Sequence, residues 1–372
     1  MTTTIRTTTA GVEPRRAGAP RTVSPTVLRI SSGADAAAQA AWARFVEARP
    51  DASIFQHPDW SGAVTAVFGH APRHLLAWRG VALVGVLPVM QVDSLLGGRL
   101  LVSVPYGTYG GIVGDDPDAI AALTEAACRM TDELGARVLE LRSAEPRCPG
   151  LEDVAGYLGF VRNLPDRVAD VAAFLPKRAR AAARHARDRD GVEIRHDPGL
   201  LRPVWELYCR SMRRIASINY PLAFFEELAA RLGDRLWVTA ALHGGRPVVG
   251  TISLVFRDTV MPYVLGADEL GRVDGAANLL YWSVMERAVA AGLRTFDYGR
   301  SRADNAGAVG FKKNQGFEPR ALGYQRYVPA GRRAPDLKPS SPRFALARRV
   351  WRRLPLGLTR VLGTWLARSL PG

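Results

Sequence analysis

One phrase occurs twice along this chain. "ELGARVLELRS" ends at Ser143 and "AAGLRTFDYGRS" ends at Ser301. Each places a helix, a glycine, a short apolar strand and a serine in that order. Each then runs on to a Gly-Phe pair, Gly159-Phe160 and Gly316-Phe317. The serines stand 158 positions apart and the phenylalanines 157. Spacing that agrees to one residue at two landmarks predicts a duplicated α/β unit. Duplication suits a chain of 372 residues, which is longer than one ordinary core supports.

The segments between the landmarks fit that reading. Residues 1–25, "MTTTIRTTTAGVEPRRAGAPRTVSP", have no apolar run and read as a disordered lead-in rather than a signal peptide. Residues 26–172 form a first unit. It has a strand at "TVLRI", an Ala-rich helix, a hairpin around Arg79-Gly80, a helix from Pro117 to Gly135 and the strand "RVLELR". Residues 173–330 form a second, in which helices precede the strands "RLWVTAAL", "RPVVGTISLVF" and "TVMPYVLGA". A helix and the strand "RTFDYG" follow, then a glycine-rich loop and a last strand, "ALGYQRYV". Residues 331–372 are a Pro-rich linker and a basic tail.

Charge is unevenly placed. The lead-in carries +3 and residues 331–372 carry +9, so +3 of the total +15 belongs to the body. A near-neutral body argues against a DNA-binding role, which needs a positive folded face. Cys128, Cys148 and Cys209 lack metal-ligand spacing and read as small buried hydrophobes in a reducing, cytoplasmic setting. No metal is expected.

The basic residues are 46 Arg and four Lys, and two of those lysines, Lys312 and Lys313, stand side by side behind Phe311. This pair follows Asp297, Tyr298, Gly299 and Arg300, at the end of a buried strand, where α/β folds expose site residues. Upstream, Arg272, Gly275 and Ala277 fall in a turn between a strand and a helix. That turn fits the R-x-x-G-x-G/A pattern of the GNAT acyltransferase superfamily, in which helix N-terminal N–H groups hold a pyrophosphate. In the first unit "SVPYGTYGG" sets Tyr106, Tyr109 and Gly110 after a strand. The rings suit sugar or acyl recognition, and a plain surface turn is the alternative. His57 fits a helix cap better than a base, and there is no Ser-His-Asp set or carboxylate pair. The basic run Lys177, Arg178, Arg180, Arg184, Arg187 and Arg189 reads as a solvated helix, with phosphate contact as the alternative.

The stretch from Phe296 to Pro319 resembles the FemAB family of peptidyl and aminoacyl transferases. It is similar above all to FemAB-like proteins of PEP-CTERM/exosortase and exopolysaccharide systems, and to the acetyltransferase 6 group. Their "fDfGRS…FKknwGFep" signature is matched by Phe296, Asp297, Gly299, Arg300, Ser301, Phe311, Lys312, Lys313, Gly316, Phe317, Glu318 and Pro319. The likeness covers roughly residues 50–330 and a "P-x-F…W-R-R-L-P" tail; a coiled-coil arm is not visible.

The resemblance implies two tandem GNAT-like (acyl-CoA N-acyltransferase-like) α/β domains with a cleft between them. It implies an acyl- or aminoacyl-transferase acting on an amine of a cell-envelope or exopolysaccharide precursor. The donor is acyl-CoA or aminoacyl-tRNA, and the acceptor is a glycan or a lipid-linked species. Peptidoglycan bridge formation and a non-catalytic accessory role in polysaccharide export are the alternatives. Lys312 would stabilise an oxyanion or donor phosphates, with Phe311 positioning the donor.

Leu358, Val361, Leu362, Trp365 and Leu366 recur at helical spacing among arginines. This predicts an amphipathic helix on an anionic membrane surface at the inner face of the cell membrane, with packing on the body as the alternative. On the first reading a chain ending at Ala330 stays folded.

Overall fold

The computed structural model describes residues 28–33, 35–269, 273–337 and 341–371. The lead-in of residues 1–25 and Arg272 lie outside the described residues. The first unit opens with β1 (Leu28–Ser32), α1 (Ala36–Ala48) and α2 (Pro58–Phe68). Then come β2 (Ala71–Pro72), β3 (Leu75–Arg79), β4 (Ala82–Leu87), β5 (Met90–Ser94) and β6 (Gly98–Val102). It continues with α3 (Pro117–Glu133), β7 (Leu139–Arg142), β8 (Glu152–Asp153) and β9 (Tyr157–Asn163). The second unit holds α4 (Val171–Phe174), α5 (Lys177–Asp188), β10 (Glu193–His196), α6 (Leu201–Arg214) and α7 (Leu222–Leu232). After these come β11 (Leu236–His243), β12 (Arg246–Phe256), β13 (Thr259–Ala267), α8 (Ala276–Ala290) and β14 (Thr295–Arg302). The body closes with α9 (Ala306–Asn314), β15 (Arg320–Ala321) and β16 (Tyr324–Tyr327), and the tail forms α10 (Ala345–Arg353) and α11 (Leu356–Ala367).

The termini of these helices follow ordinary capping chemistry. Asp116 accepts from the N–H groups of Asp118 and Ala119 ahead of α3, whose first residue is Pro117. Asn305 caps α9, so the helix begins at Ala306 and takes in both glycines, Gly307 and Gly310, of the stretch that reads as loop. His57 caps α2 through Nδ1, as its position suggests.

The duplication is visible in the sheets. A six-stranded sheet runs β2-β5-β6-β7-β16-β8 and a seven-stranded sheet runs β10-β11-β12-β13-β14-β9-β15. In each, the strand before the long helix and the strand after it are parallel and joined at two positions. Leu101 faces Leu139 and Val102 faces Glu140 in the first; Thr259 faces Thr295 and Val260 faces Phe296 in the second. Beyond those two positions the strands part.

The units also exchange strands. β9, which follows β7, pairs with β14 in the second sheet; β16, which follows β14, pairs with β7 in the first. The sheets therefore cross the sequence boundary near residue 172 in both directions. A shared aromatic core reinforces this lock. Trp60 and Phe68 of α2 meet Phe224 of α7 at ring separations of 5.5 and 5.0 Å. A large apolar interface of this kind holds two units in one orientation.

The tail is part of the body. Ala367 lies in the shared core, and Thr359, Gly363 and Ala367, one helical face of α11, are buried. A side chain at Gly363 would meet Asn219 Oδ1 at 2.2 Å. Arg360 reaches Glu206 at 3.8 Å and lies over the Trp205 ring. The hydroxyl of Tyr106 donates to the Ala367 carbonyl at 2.8 Å, and the Pro371 carbonyl accepts from Tyr106 N and from Arg142 Nη1. These bonds overturn the expectation that a chain ending at Ala330 keeps its fold. Truncation there strands buried donors, at about 1–3 kcal/mol each, and uncovers the core around Ala367. The truncated protein is expected to melt many degrees below the full chain in a thermal unfolding scan.

Candidate active site at the seam of the two units

The seam is built on a distortion of β14. Against β9, Asp297 faces Val161 and Arg300 faces Gly159, so β14 carries one extra residue there. This is a β-bulge, a device that re-aims strand groups beside sites. Gly299 takes φ +63°, where a side chain is strained, and its N–H donates to Asp297 Oδ1 at 2.7 Å. The bulge turns three successive carbonyls to one side. Lys312 Nζ donates to all three: Tyr298 O at 2.7 Å, Gly299 O at 3.2 Å and Arg300 O at 3.1 Å.

This geometry explains lysine in a chain that otherwise writes arginine. An ammonium has three donors radiating from one atom and can serve three convergent acceptors. A guanidinium spreads its donors in a plane and cannot. Lys312 therefore acts as a strut that holds the bulge. Phe311 packs beside it, 5.7 Å from the Tyr281 ring and 6.4 Å from that of Tyr298. Lys313 points to solvent.

The seam couples two buried charges. Burial pushes the Asp297 carboxyl up to about 6, although the Gly299 N–H, the Tyr109 hydroxyl and the Lys312 charge all favour its ionised form. Burial pushes the Lys312 ammonium down to about 8, against the pull of Asp297. Tyr109 comes from the first unit, so Asp297 is shared between the halves. Arg300 lies 5.2 Å from the Tyr157 ring centroid and 5.8 Å from that of Tyr324. Tyr324 in turn donates from its hydroxyl to Thr108 O at 2.7 Å. Asp297, Tyr298, Gly299, Arg300, Phe311, Lys312 and Tyr109 are thus brought together.

The other residues singled out in the sequence lie elsewhere. Tyr106 sits at φ +66° with its ring stacked on Phe68 at 4.1 Å and its hydroxyl 2.8 Å from His70 Nε2. It is buried in the shared core. Gly110 lets its loop lie on Val104, whose Cγ2 is 2.1 Å from where a side chain would begin. Gly275 and Ala277 begin α8, some way along the second sheet. Gly275 has φ +85°, and a Cβ there would meet the Ala182 carbonyl of α5 at 2.1 Å. Its first demand is therefore packing of α8 on α5. Gly275→Val is expected to cost at least ~2 kcal/mol from left-handed strain and the clash, read as a lower unfolding midpoint in denaturant. Beside this helix start, His185, Asp190, His243, Val273 and Asp274 line an open groove of about 440 Å³. α5 buries Ala179, Ala183 and Ala186 and turns Lys177, Arg178, Arg184, Arg187 and Arg189 to solvent.

The two parted strand pairs have different fates. In the first unit the loop after β6 folds back over the gap. Ser103 Oγ accepts from Arg142 N at 2.9 Å, and the N–H groups of Gly110 and Gly111 both donate to Arg142 O. The Arg142 side chain then bonds Val104 O, Gly107 O and Pro371 O. That opening is sealed. In the second unit, among the described residues, no backbone bond ties the turn after β13 to the end of β14.

Residues 175–313, the part that contains this second pair, match the acetyltransferase (GNAT) domain family. No curated protein sequence matches the chain. Among solved structures, FemX aligns over 83% of this chain and 98% of its own, with TM-score 0.61 and 13% identity. A tandem GNAT protein from the clavulanic acid biosynthesis pathway covers 81% of this chain and 98% of its own, at TM-score 0.53 and 14% identity. A Bacteroides thetaiotaomicron protein of unknown function covers 78% and 96%, at TM-score 0.51 and 13% identity. The body thus has the tandem GNAT fold, as the internal repeat predicts. The sealing of the first opening agrees with the family match falling on residues 175–313.

Sequence reasoning missed Tyr157, Tyr324 and Thr108. The aromatic positions Tyr157 and Tyr324 sit in short strands with no local mark of the exchange that brings them together.

Proposed function

We propose that the GNAT domain holds an acyl or aminoacyl donor along the parted edges of β13 and β14 and transfers the acyl group to an amine. The observation that carries this reading is the end point of that gap. The unpaired strand edges run to Asp297 and Lys312, a buried carboxylate and a buried ammonium whose ionisation ranges are drawn toward neutrality. Perturbed pairs of this kind are characteristic of reaction centres. The edge of β13 beyond Val260, where its ladder to β14 ends, offers backbone groups to an extended amide-bearing chain, while the β14 carbonyls of Tyr298, Gly299 and Arg300 stay bonded to Lys312.

In the proposed step the acceptor nitrogen attacks the acyl carbonyl carbon. The new C–N bond forms as the carbonyl carbon releases its sulfur or oxygen leaving group. Asp297, ionised above about pH 6, takes the proton that the attacking amine loses, and the leaving group takes a proton from solvent. Tyr109 holds the carboxylate from across the seam, and Lys312 holds the bulge on which the carboxylate stands. The positive charge of Lys312 favours the developing negative charge on the carbonyl oxygen without surrendering its three carbonyl bonds. The N-terminal end of α8, the positive end of its dipole, with the arginines of α5 beside it, suits the phosphates of acyl-CoA.

The acceptor class rests on the Phe296–Pro319 signature and is an amine of a cell-envelope or exopolysaccharide precursor, either a glycan or a lipid-linked species. Calorimetric titration with acyl-CoA and with aminoacyl-tRNA tests the donor. Micromolar binding of acyl-CoA supports the reading as stated. Binding of aminoacyl-tRNA alone would move it to the peptidoglycan-bridge chemistry of the FemAB resemblance. Failure of both donors would contradict it.

A further inference from the structure

From the residues that the packed tail leaves uncovered, we propose that α10 and α11 form a docking face for an anionic lipid bilayer. α11 buries one side, Thr359, Gly363 and Ala367, against the body. Its other side presents Leu358, Val361 and Trp365 at helical spacing, with Val361 69% and Trp365 57% exposed. On α10, Leu346 and Val350 stand one turn apart and are also exposed, at 71% and 50%. Arg349, Arg352 and Arg353 are exposed on the same helix. Large apolar side chains of this size, set in two adjoining helices, are more than the scattered apolar residues of an ordinary surface.

The charge selects the occupant. Residues 337–371 contain no Asp or Glu, while residues 343–371 contain seven arginines. Apolar side chains interleaved with the exposed Arg349, Arg352 and Arg353 match the boundary between lipid headgroups and acyl chains. A protein partner or a second copy of this chain would have to present a matching acidic surface to the same face. Among the described residues no helix is long and apolar enough to cross a membrane, so the contact is interfacial. The packing adds a consequence that a free tail would lack. The helix that meets the bilayer ends at Ala367, whose carbonyl accepts from Tyr106, and is followed by Pro371, whose carbonyl accepts from Arg142, so docking fixes the whole body relative to the membrane surface. A lipid-linked acceptor would then arrive at a held enzyme.

The test is co-sedimentation of the full chain with vesicles of phosphatidylglycerol and phosphatidylcholine, and of phosphatidylcholine alone. Neither contains a donor or an acceptor, so the outcome is separate from that of the transferase reading. The wild type is expected to sediment with the anionic vesicles and to remain in solution with the zwitterionic ones. Adding salt should weaken binding without abolishing it, because the apolar contact is not screened. Arg349→Gln, Arg352→Gln and Arg353→Gln together should weaken binding ~100-fold, at about fivefold for each arginine near the surface. Val361→Ser with Trp365→Ser, both at exposed positions, should weaken it at least ~10-fold while the melting temperature stays within a degree or two. Absence of binding to anionic vesicles, or equal binding by the variants, overturns the proposal. So does a dimer in light scattering that the Val361→Ser, Trp365→Ser protein no longer forms, because a second copy would then own the face.

Discussion

Asp297→Asn is expected to lower turnover 10²–10⁴-fold, the range for removing a positioned general base, with folding unchanged. Asparagine keeps an Oδ1 acceptor for the Gly299 N–H and removes the basic carboxylate. In the wild type, activity should rise with pH through about 6, as Asp297 ionises, and fall through about 8, as Lys312 loses its proton. The signs follow from the roles: the base works unprotonated and the strut works protonated. The acid limb should vanish in Asp297→Asn and persist in Tyr109→Phe, shifted upward because the carboxylate loses a donor that favours its ionised form. Rate measurements across pH 5–9 with saturating donor check all three. A wild-type profile flat from pH 5 to 7 would remove Asp297 from the reaction.

Lys312→Met carries the second large effect. It strands the carbonyls of Tyr298, Gly299 and Arg300 together. Each buried acceptor without a donor costs about 1–3 kcal/mol unless water reaches it. The variant should therefore lose stability as well as some 10²–10³ in rate. This departs from what the signature alone implies, a charge whose removal leaves the fold intact. Lys312→Arg separates the explanations. If charge alone mattered, arginine would restore most of the activity. If the three-way convergence matters, Lys312→Arg should remain nearly as impaired as Lys312→Met in both melting temperature and turnover. Lys313→Ala, at an exposed position, should stay close to wild type in both.

The repeat was legible because it rests on spacing, which the chain carries openly. The strand exchange was not. β9 and β16 each follow their own unit's central strand in sequence, and nothing local records that each pairs with the other unit's strand. The same blindness separates Tyr106 from Tyr109. Both sit among glycines in one short loop, yet a positive φ sends the first into the shared core while the second reaches Asp297. Asp297 is not at the strand end that the sequence suggests: β14 runs from Thr295 to Arg302, and Asp297 is its third residue, beside the bulge. Its elevated ionisation range depends on burial by both units, which no single stretch encodes. In the tail, the helical period of the apolar residues was read correctly. The packing face was not, since it is made of Thr359, Gly363 and Ala367, small residues that allow close approach and leave little hydrophobic signal.

Hydrogen exchange read by mass spectrometry, with and without saturating donor, tests the central claim most directly. The two units present equivalent parted strands, and the account assigns the donor to the second pair alone. Peptides covering Met261–Asp268 and Asp297–Ala303, already bonded to β12 and β9 on their other edges, should gain further protection when the donor binds. Peptides covering Leu101–Ile112 and Leu139–Ser143, where the first opening is closed by its own loop and by Pro371, should not change. Protection of the first pair instead of the second would contradict the account.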